Sequence, residues 1–264
     1  MNRGNLIWGT ILLLLGGLML ADAAGLRLPG GASPMDVFWP LLLILAGIWV
    51  LWGAVRRGQT AVTEASIESQ GASEAEVEIN HSAGHLKVRS GATGTLLARG
   101  MFGGGLWHSA HLTGTRLQVQ MRPAREPAIY LLGPAVNLDW DVQFNGDLPL
   151  FLRIQTGANR AEMDLKDLQI RDLKLETGAS QTKILLPGRG RLNADFDLGA
   201  ASLEVIFPPG VAGRIRLDQG VSSVSVDETR FPYRQGVYQS PDFDTAPNAV
   251  DLKIDAGAAQ IRIR

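Results

Sequence analysis

Five glycines divide the second half of this chain: Gly157, Gly178, Gly199, Gly220 and Gly257. The first four follow one another at 21 residues, and the last comes after 37, one period plus a 16-residue insertion. Apolar residues stand five and three positions before each glycine: Leu152/Ile154, Leu173/Leu175, Ala194/Phe196, Ile215/Leu217 and Leu252/Ile254. Another stands six after it: Met163, Ile184, Val205, Val226 and Ile263. A fixed period of this length denotes stacked supersecondary units, none of which buries its core face alone. Alternation with period two denotes strands. The expected fold class is therefore all-β, a repeat β-solenoid. Each coil would be a strand, a tight turn at the glycine and a second strand, with the repeat region over 151–264 and the insertion near 228–248.

Upstream of the repeats, strands are expected at Ala75–Ile79, Leu86–Val88, Arg116–Met121 and Asn137–Phe144, with Arg99–Gly114 as a loop around Gly103, Gly104 and Gly105. This region, 74–150, precedes the repeats, and the polar stretch 58–73 reads as a linker.

The first 57 residues have a different character. Leu6–Ala24 and Val37–Val55 are each 19 residues long, and Asp22 is the only charge in either. At ~1.5 Å per residue each is long enough to cross a hydrocarbon core. Trp8, Trp39, Trp49 and Trp52 fall mostly near their ends, where interfacial aromatics sit. A cleaved signal peptide is the alternative for the first stretch. The second stretch follows at once, which favours a retained two-helix hairpin in the lipid bilayer. Arg3, Arg56 and Arg57 flank the hairpin on one side. The positive-inside rule then expects both termini in the cytoplasm.

These residues resemble a known bacterial arrangement. Phe38-Trp39-Pro40-Leu41-Leu42-Leu43-Ile44-Leu45-Ala46-Gly47 is similar to the LiaF-like transmembrane hairpin. Asp139–Pro187, with Leu165-Lys166-Asp167-Leu168 and Leu173-Lys174-Leu175-Glu176-Thr177-Gly178, resembles the N-terminal part of the toast-rack domain. The resemblance implies a stacked two-sheet rack on a membrane hairpin. It also implies a role in the envelope-stress or cell-wall-antibiotic response, exercised on a membrane protein partner such as a sensor histidine kinase. It brings no ligand residues. A self-assembling scaffold, and hence a homo-oligomer, is the alternative: the last strand ends at Arg264 with no capping helix, and open solenoid ends invite pairing.

Little points to chemistry. The net charge of -1 gives no basic footprint for nucleic acid, and there is no cysteine. His81, His85, His108 and His111 lie close in sequence, but HxxxH and HxxH spacings suit a metal on a helix rather than on strands. Two ladders are expected on the outward face. One is acidic (Gln155, Glu176, Asp197, Asp218, Asp255) and the other mostly basic (Arg153, Lys174, Asp195, Arg216, Lys253); together they make a charge-balanced surface, with a divalent-ion site or a charged partner surface as the alternative. The acid pairs Asp139/Asp141 and Asp195/Asp197 read as polar strand faces. No enzyme, no catalytic residue, no metal and no cofactor is expected. The insertion bears Phe231, Tyr233, Tyr238 and Phe243, a candidate protein-contact loop, with packing over the solenoid flank as the alternative.

Overall fold

The computed structural model describes residues 62–124, 138–220 and 223–264, together with six scattered positions before residue 62. Both apolar stretches, and with them the hairpin, its orientation and the membrane, lie outside the continuously described residues. Among the described residues no helix is long and apolar enough to cross a membrane. The chain divides into two compact units, and nearly all described residues belong to the one formed by Gly58–Leu132 and Val136–Arg264. That unit is all-β.

Five long strands form its centre. They are β2 (Glu74–Ala92), β7 (Leu150–Asp164), β8 (Ile170–Leu185), β9 (Arg191–Ile206) and β14 (Ala249–Ile263). Neighbours pair in parallel and in register, so that Ile154 stands beside Leu175, Leu175 beside Phe196 and Phe196 beside Ile254. Each apolar position of the 21-residue period thus becomes a continuous ladder, and the ladders merge into one buried core. Parallel strands buried in this way need crossover connections. Here the connections are short turns whose Leu165, Leu168, Leu186 and Phe207 also point into the core.

The repeat glycines do not make tight turns. Gly157, Gly178, Gly199 and Gly257 stand inside continuous strands, and none has positive φ. They mark a corner instead. In β9 the buried residues are Leu192, Ala194, Phe196 and Leu198 before the glycine, then Ala201, Leu203 and Val205 after it. The inward parity changes from even to odd across Gly199-Ala200. A straight strand would send the two sets to opposite faces. A bend lets both face one core. Each long strand therefore contributes to two sheet arms, one before and one after the corner.

Glycine is required at the corner for space rather than for conformation. A Cβ on Gly157 would lie 2.4 Å from the Ser82 carbonyl oxygen, and one on Gly199 would lie 2.8 Å from that of Gly178. Gly178 and Gly257 are looser, each 3.3 Å from the carbonyl of the glycine before it in the stack. The coils thus touch backbone to backbone along the corner.

The order of the coils differs from sequence order. β10 (Ala212–Gln219) and β11 (Ser223–Val226) make the coil around Gly220, and both pair with β14. The last strand therefore lies between β9 and β10, and the C-terminus is not an open end of the solenoid. The insertion permits this: it carries the chain past the β10 coil and returns it to the β9 edge. On the way it forms the small hairpin β12 (Tyr233–Arg234) and β13 (Val237–Gln239), and β13 covers part of the free edge of β10 at Arg214 and Ile215.

At the other end β2 pairs in parallel with one short strand on each arm, and the strands beyond these are antiparallel. β6 (Trp140–Asn145), β3 (Leu96–Gly103) and β1 (Val62–Glu68) extend one arm from β2, in that order. β5 (Arg116–Pro123) and then β4 (Leu106–Thr113) extend the other. Three expectations are corrected here. The 58–73 linker contains β1, which pairs with β3 and buries Ile67; its polar composition reflects an edge strand with one solvated face. The expected loop Arg99–Gly114 is most of β3 and β4. Gly104 and Gly105, both with φ of 79°, form only the bend between them. Ala75–Ile79 and Leu86–Val88, expected as separate strands, are two arms of the single strand β2, bent at Gly84, φ 99°.

Candidate functional site

Gly157, Gly178 and Gly199 floor a groove of about 640 Å³, walled by Asn80, Arg122, Gln155, Glu176 and Asp197. Three rungs of the acidic ladder line it, and the row continues beyond it. Pairing places Gln155 beside Glu176, Glu176 beside Asp197, Asp197 beside Asp255, and Asp255 beside Asp218. Four carboxylates thus occupy adjacent rungs, at the ~4.8 Å spacing of neighbouring strands. Gln155 Nε2 donates to Glu176 Oε2 at 2.9 Å. The mostly basic ladder is two residues away on the same face, in the spatial order Arg153, Lys174, Asp195, Lys253, Arg216. The ladders do not pair with each other directly. Arg216 instead holds Asp251, 2.7 Å away, and Arg214 reaches Asp244 at 3.0 Å.

The second arm presents a different surface. Its outward rungs read Asp141, Lys87, Glu162, Lys183, Glu204, Arg262, alternating in sign at every strand. Opposite charges directly across a strand pair are mutually stabilising. One arm is therefore self-neutralised, and the other carries like charges in a row beside a groove.

The histidines separate. His108 and His111 are exposed on β4. His81 is buried at the corner, where its Nε2–H donates to the Leu138 carbonyl at 2.7 Å. Asn159 Nδ2 lies 3.5 Å from its Nδ1, and the ring tilts over Trp140. A carbonyl on one nitrogen and an amide donor on the other select the neutral Nε2–H tautomer. Burial lowers the His81 pKa, with the Leu138 bond and the charge of Asp139 opposing. His85 sits 3.6 Å from Glu162. Ser82 Oγ, His85 Nε2, Thr156 Oγ1 and Asn159 Oδ1 are buried without a hydrogen-bond partner, all on β2 or β7 near this corner. Among the described residues no three His, Asp or Glu side chains are grouped as a metal ion would require. Of the two acid pairs, Asp141 is held by Nε and Nη2 of Arg89 at 3.1 and 3.0 Å, and Asp139 Oδ1 accepts the His85 amide at 3.0 Å. Asp195 and Asp197 lie on the solvated face of β9.

The aromatic insertion divides in two. Phe231 is fully buried against Phe207, with ring centroids 4.8 Å apart. Phe243 is buried under Arg214, whose guanidinium lies 4.1 Å from its ring centroid. These two hold the insertion to the flank and cannot serve as contact residues. Tyr233 and Tyr238 pack against each other with ring centroids 4.7 Å apart and planes tilted by 47°, and Tyr233 is 55% exposed. Arg230 completes the anchor. It donates to the carbonyls of Phe207, Pro208 and Val211, at 2.7 Å for Phe207 and 2.8 Å for Val211. Desolvation lowers its pKa. No sequence pattern marks this arginine; a lone arginine beside an aromatic-proline step was its only signal.

Comparison with known proteins bears on the fold. A crystal structure of a "putative cell adhesion protein" from Clostridium sporogenes ATCC 15579 superposes with a TM-score of 0.63 and 15% identity, covering 77% of this chain and all of that one. That likeness is one of fold. A "putative adhesin" from Bacteroides fragilis NCTC 9343 aligns at a TM-score of 0.29 and 7% identity, over 79% of this chain and 99% of that one, too distant to support an argument. No curated protein matches the sequence. The model of the family described as the N-terminal domain of toast_rack, DUF2154, matches residues 56–206, more than half of the chain. The match spans most of the laddered rack, and the chain belongs to the toast-rack N-terminal domain family.

Proposed function

We propose that this is a membrane-anchored bacterial protein of the envelope-stress and cell-wall-antibiotic response, which acts by protein–protein contact on a membrane sensor such as a histidine kinase. Its anchor is a LiaF-like two-span hairpin with both termini in the cytoplasm. The observation that carries this reading is the joining, in one chain, of two apolar stretches of membrane-spanning length to a toast-rack domain. The surface of the rack suits a binding role: a like-charged ladder beside an open groove on one arm, and the exposed Tyr233, backed by the half-buried Tyr238, on the insertion. Deleting the gene and measuring the transcriptional response to cell-wall antibiotics tests it. An altered threshold or amplitude supports the role, and an unchanged response refutes it. A reporter fused after Arg264 tests the orientation separately.

A second reading, a self-assembling scaffold, is favoured by a different observation. The outer edges of β1 and β4 have no strand partner among the described residues. The C-terminal strand, paired on both sides, does not contribute to it.

A further inference from the structure

Sheet edges are pairing surfaces unless charge, proline, a bulge or a cover blocks them. Among the described residues, two edge strands of more than four residues each have a single neighbour, β1 on β3 and β4 on β5. β1 carries Glu64 and Glu68 and ends in a register shift, features that disfavour self-pairing. β4 reads LWHSAHLT: eight residues without Lys, Arg, Asp, Glu, Pro or Gly. It pairs with β5 without irregularity, from Leu106 opposite Pro123 to Thr113 opposite Arg116. Trp107 and Leu112 on this strand are 40% and 39% exposed. They lie on opposite faces. Leu106 and Ala110, on the face of Leu112, pack against the core. Leu112 therefore extends the core face to a point where no described residue covers it.

We propose that β4 docks antiparallel on β4 of a second copy of this chain, about a twofold axis through Ser109. A twofold normal to the sheet pairs only residues of equal parity, because opposed side chains share a face. Centred on Ser109, it sets Leu106 against Leu112, Trp107 against His111, His108 against Ala110, and Ser109 against itself. The exposed Leu112 gains an apolar partner on the core face. Trp107, already under the Arg122 guanidinium at 4.0 Å, gains an imidazole on the other. No like charges are opposed. Centring on Ala110 instead sets Leu112 against His108 and Trp107 against Thr113, so both apolar side chains lose their match. The contact is isologous and closes on itself. It makes a dimer rather than a fibre, and it stands or falls independently of the regulatory role.

The absence of cysteine from the sequence makes the test direct. Full-length Ser109→Cys and Thr113→Cys, each carrying a single thiol, are oxidised with copper phenanthroline in native membranes. In Ser109→Cys the two thiols would face each other across the axis. In Thr113→Cys they would be ~27 Å apart, eight residues of strand at ~3.4 Å each. Ser109→Cys is expected to form a disulfide dimer at least tenfold faster than Thr113→Cys, and Leu112→Glu added to Ser109→Cys is expected to abolish it. Equal rates at the two positions overturn the proposal. So does absence of dimer at both, or cross-linking of the Ser109→Cys variant to a different protein without any to itself.

Discussion

The corner glycines differ in how much room they have, and that difference predicts a graded response to one methyl group. At Gly157 a Cβ would lie 2.4 Å from a backbone oxygen of β2; at Gly178 the corresponding gap is 3.3 Å. Neither has positive φ, so alanine is conformationally admissible at both. Reducing the freedom of the unfolded chain stabilises each by about 0.4–1 kcal/mol. At Gly178 a shift of about a tenth of an ångström restores contact, and the two effects nearly cancel. At Gly157 the methyl intrudes by about 1 Å on a carbonyl, a displacement that overpacked sites resist at about 1–3 kcal/mol. The ladder from Ala75↔Leu150 to Arg89↔Asp164 holds β2 and β7 together on both sides of the corner. That restraint puts the cost at the upper end of the range. The net expectation is Gly157→Ala destabilised by about 2 kcal/mol and Gly178→Ala within about 0.5 kcal/mol of the natural protein. Pulse proteolysis of the full-length protein across a urea series reads this. At an m-value of about 2 kcal/mol/M, the Gly157→Ala midpoint falls by about 1 M while Gly178→Ala moves little. Equal shifts for the two variants would refute the argument that backbone crowding, rather than glycine conformation, dictates these positions.

Other expectations follow from the same geometry. An Asp195→Cys/Lys253→Cys pair, on adjacent rungs of β9 and β14, forms a disulfide under mild oxidation, whereas Asp195→Cys/Arg216→Cys, two rungs apart, does not; the reverse would mean that the coils stack in sequence order. Arg230→Met removes three carbonyl contacts, and hydrogen exchange of 227–248 is expected to accelerate at least tenfold with little change in β7 and β8; uniform acceleration would show that Arg230 supports the whole rack instead. His81 has a lowered folded pKa, so as pH falls the unfolded chain takes up its proton first. Its contribution is complete above pH ~6.5, declines as pH falls from there through the lowered value, and is flat below it; His81→Phe should flatten that part of the stability–pH curve, and an unchanged curve would assign it to other groups. Ile254→Ala, buried in β14 between two strands, is expected to cost about 2–5 kcal/mol in the same urea assay, and a cost below about 1 kcal/mol would deny that β14 is an interior coil.

What the sequence determined by itself was the coil. The 21-residue period names the core ladders: Leu152, Ile154, Phe196 and Leu252 are buried where the period places them, and Leu217 and Val226, in the β10 coil, are half-buried against the same core. Even the bend was encoded: apolar positions three before and six after each glycine are nine apart, an odd number, so a straight strand could not bury both. The period does not reveal what each glycine does, because glycine serves a tight turn and a close backbone approach equally well. Short-range composition also concealed β1, β3 and β4, since edge strands with a solvated face carry the polar and glycine content of loops. The order of the coils was left to the tertiary structure. The repeats present nearly interchangeable ladders, so β9 can accept either β10 or β14 on its free edge with similar apolar partners. The insertion decides between them by anchoring through Phe231, Phe243 and Arg230, contacts made between residues far apart in the chain. The same placement decides which charges become neighbours. Asp197 stands beside Asp255 and Glu204 beside Arg262 only because β14 lies against β9; in sequence order their neighbours would be Asp218 and Ser225, since side chains interact with the strand beside them in space and not with the next repeat in sequence.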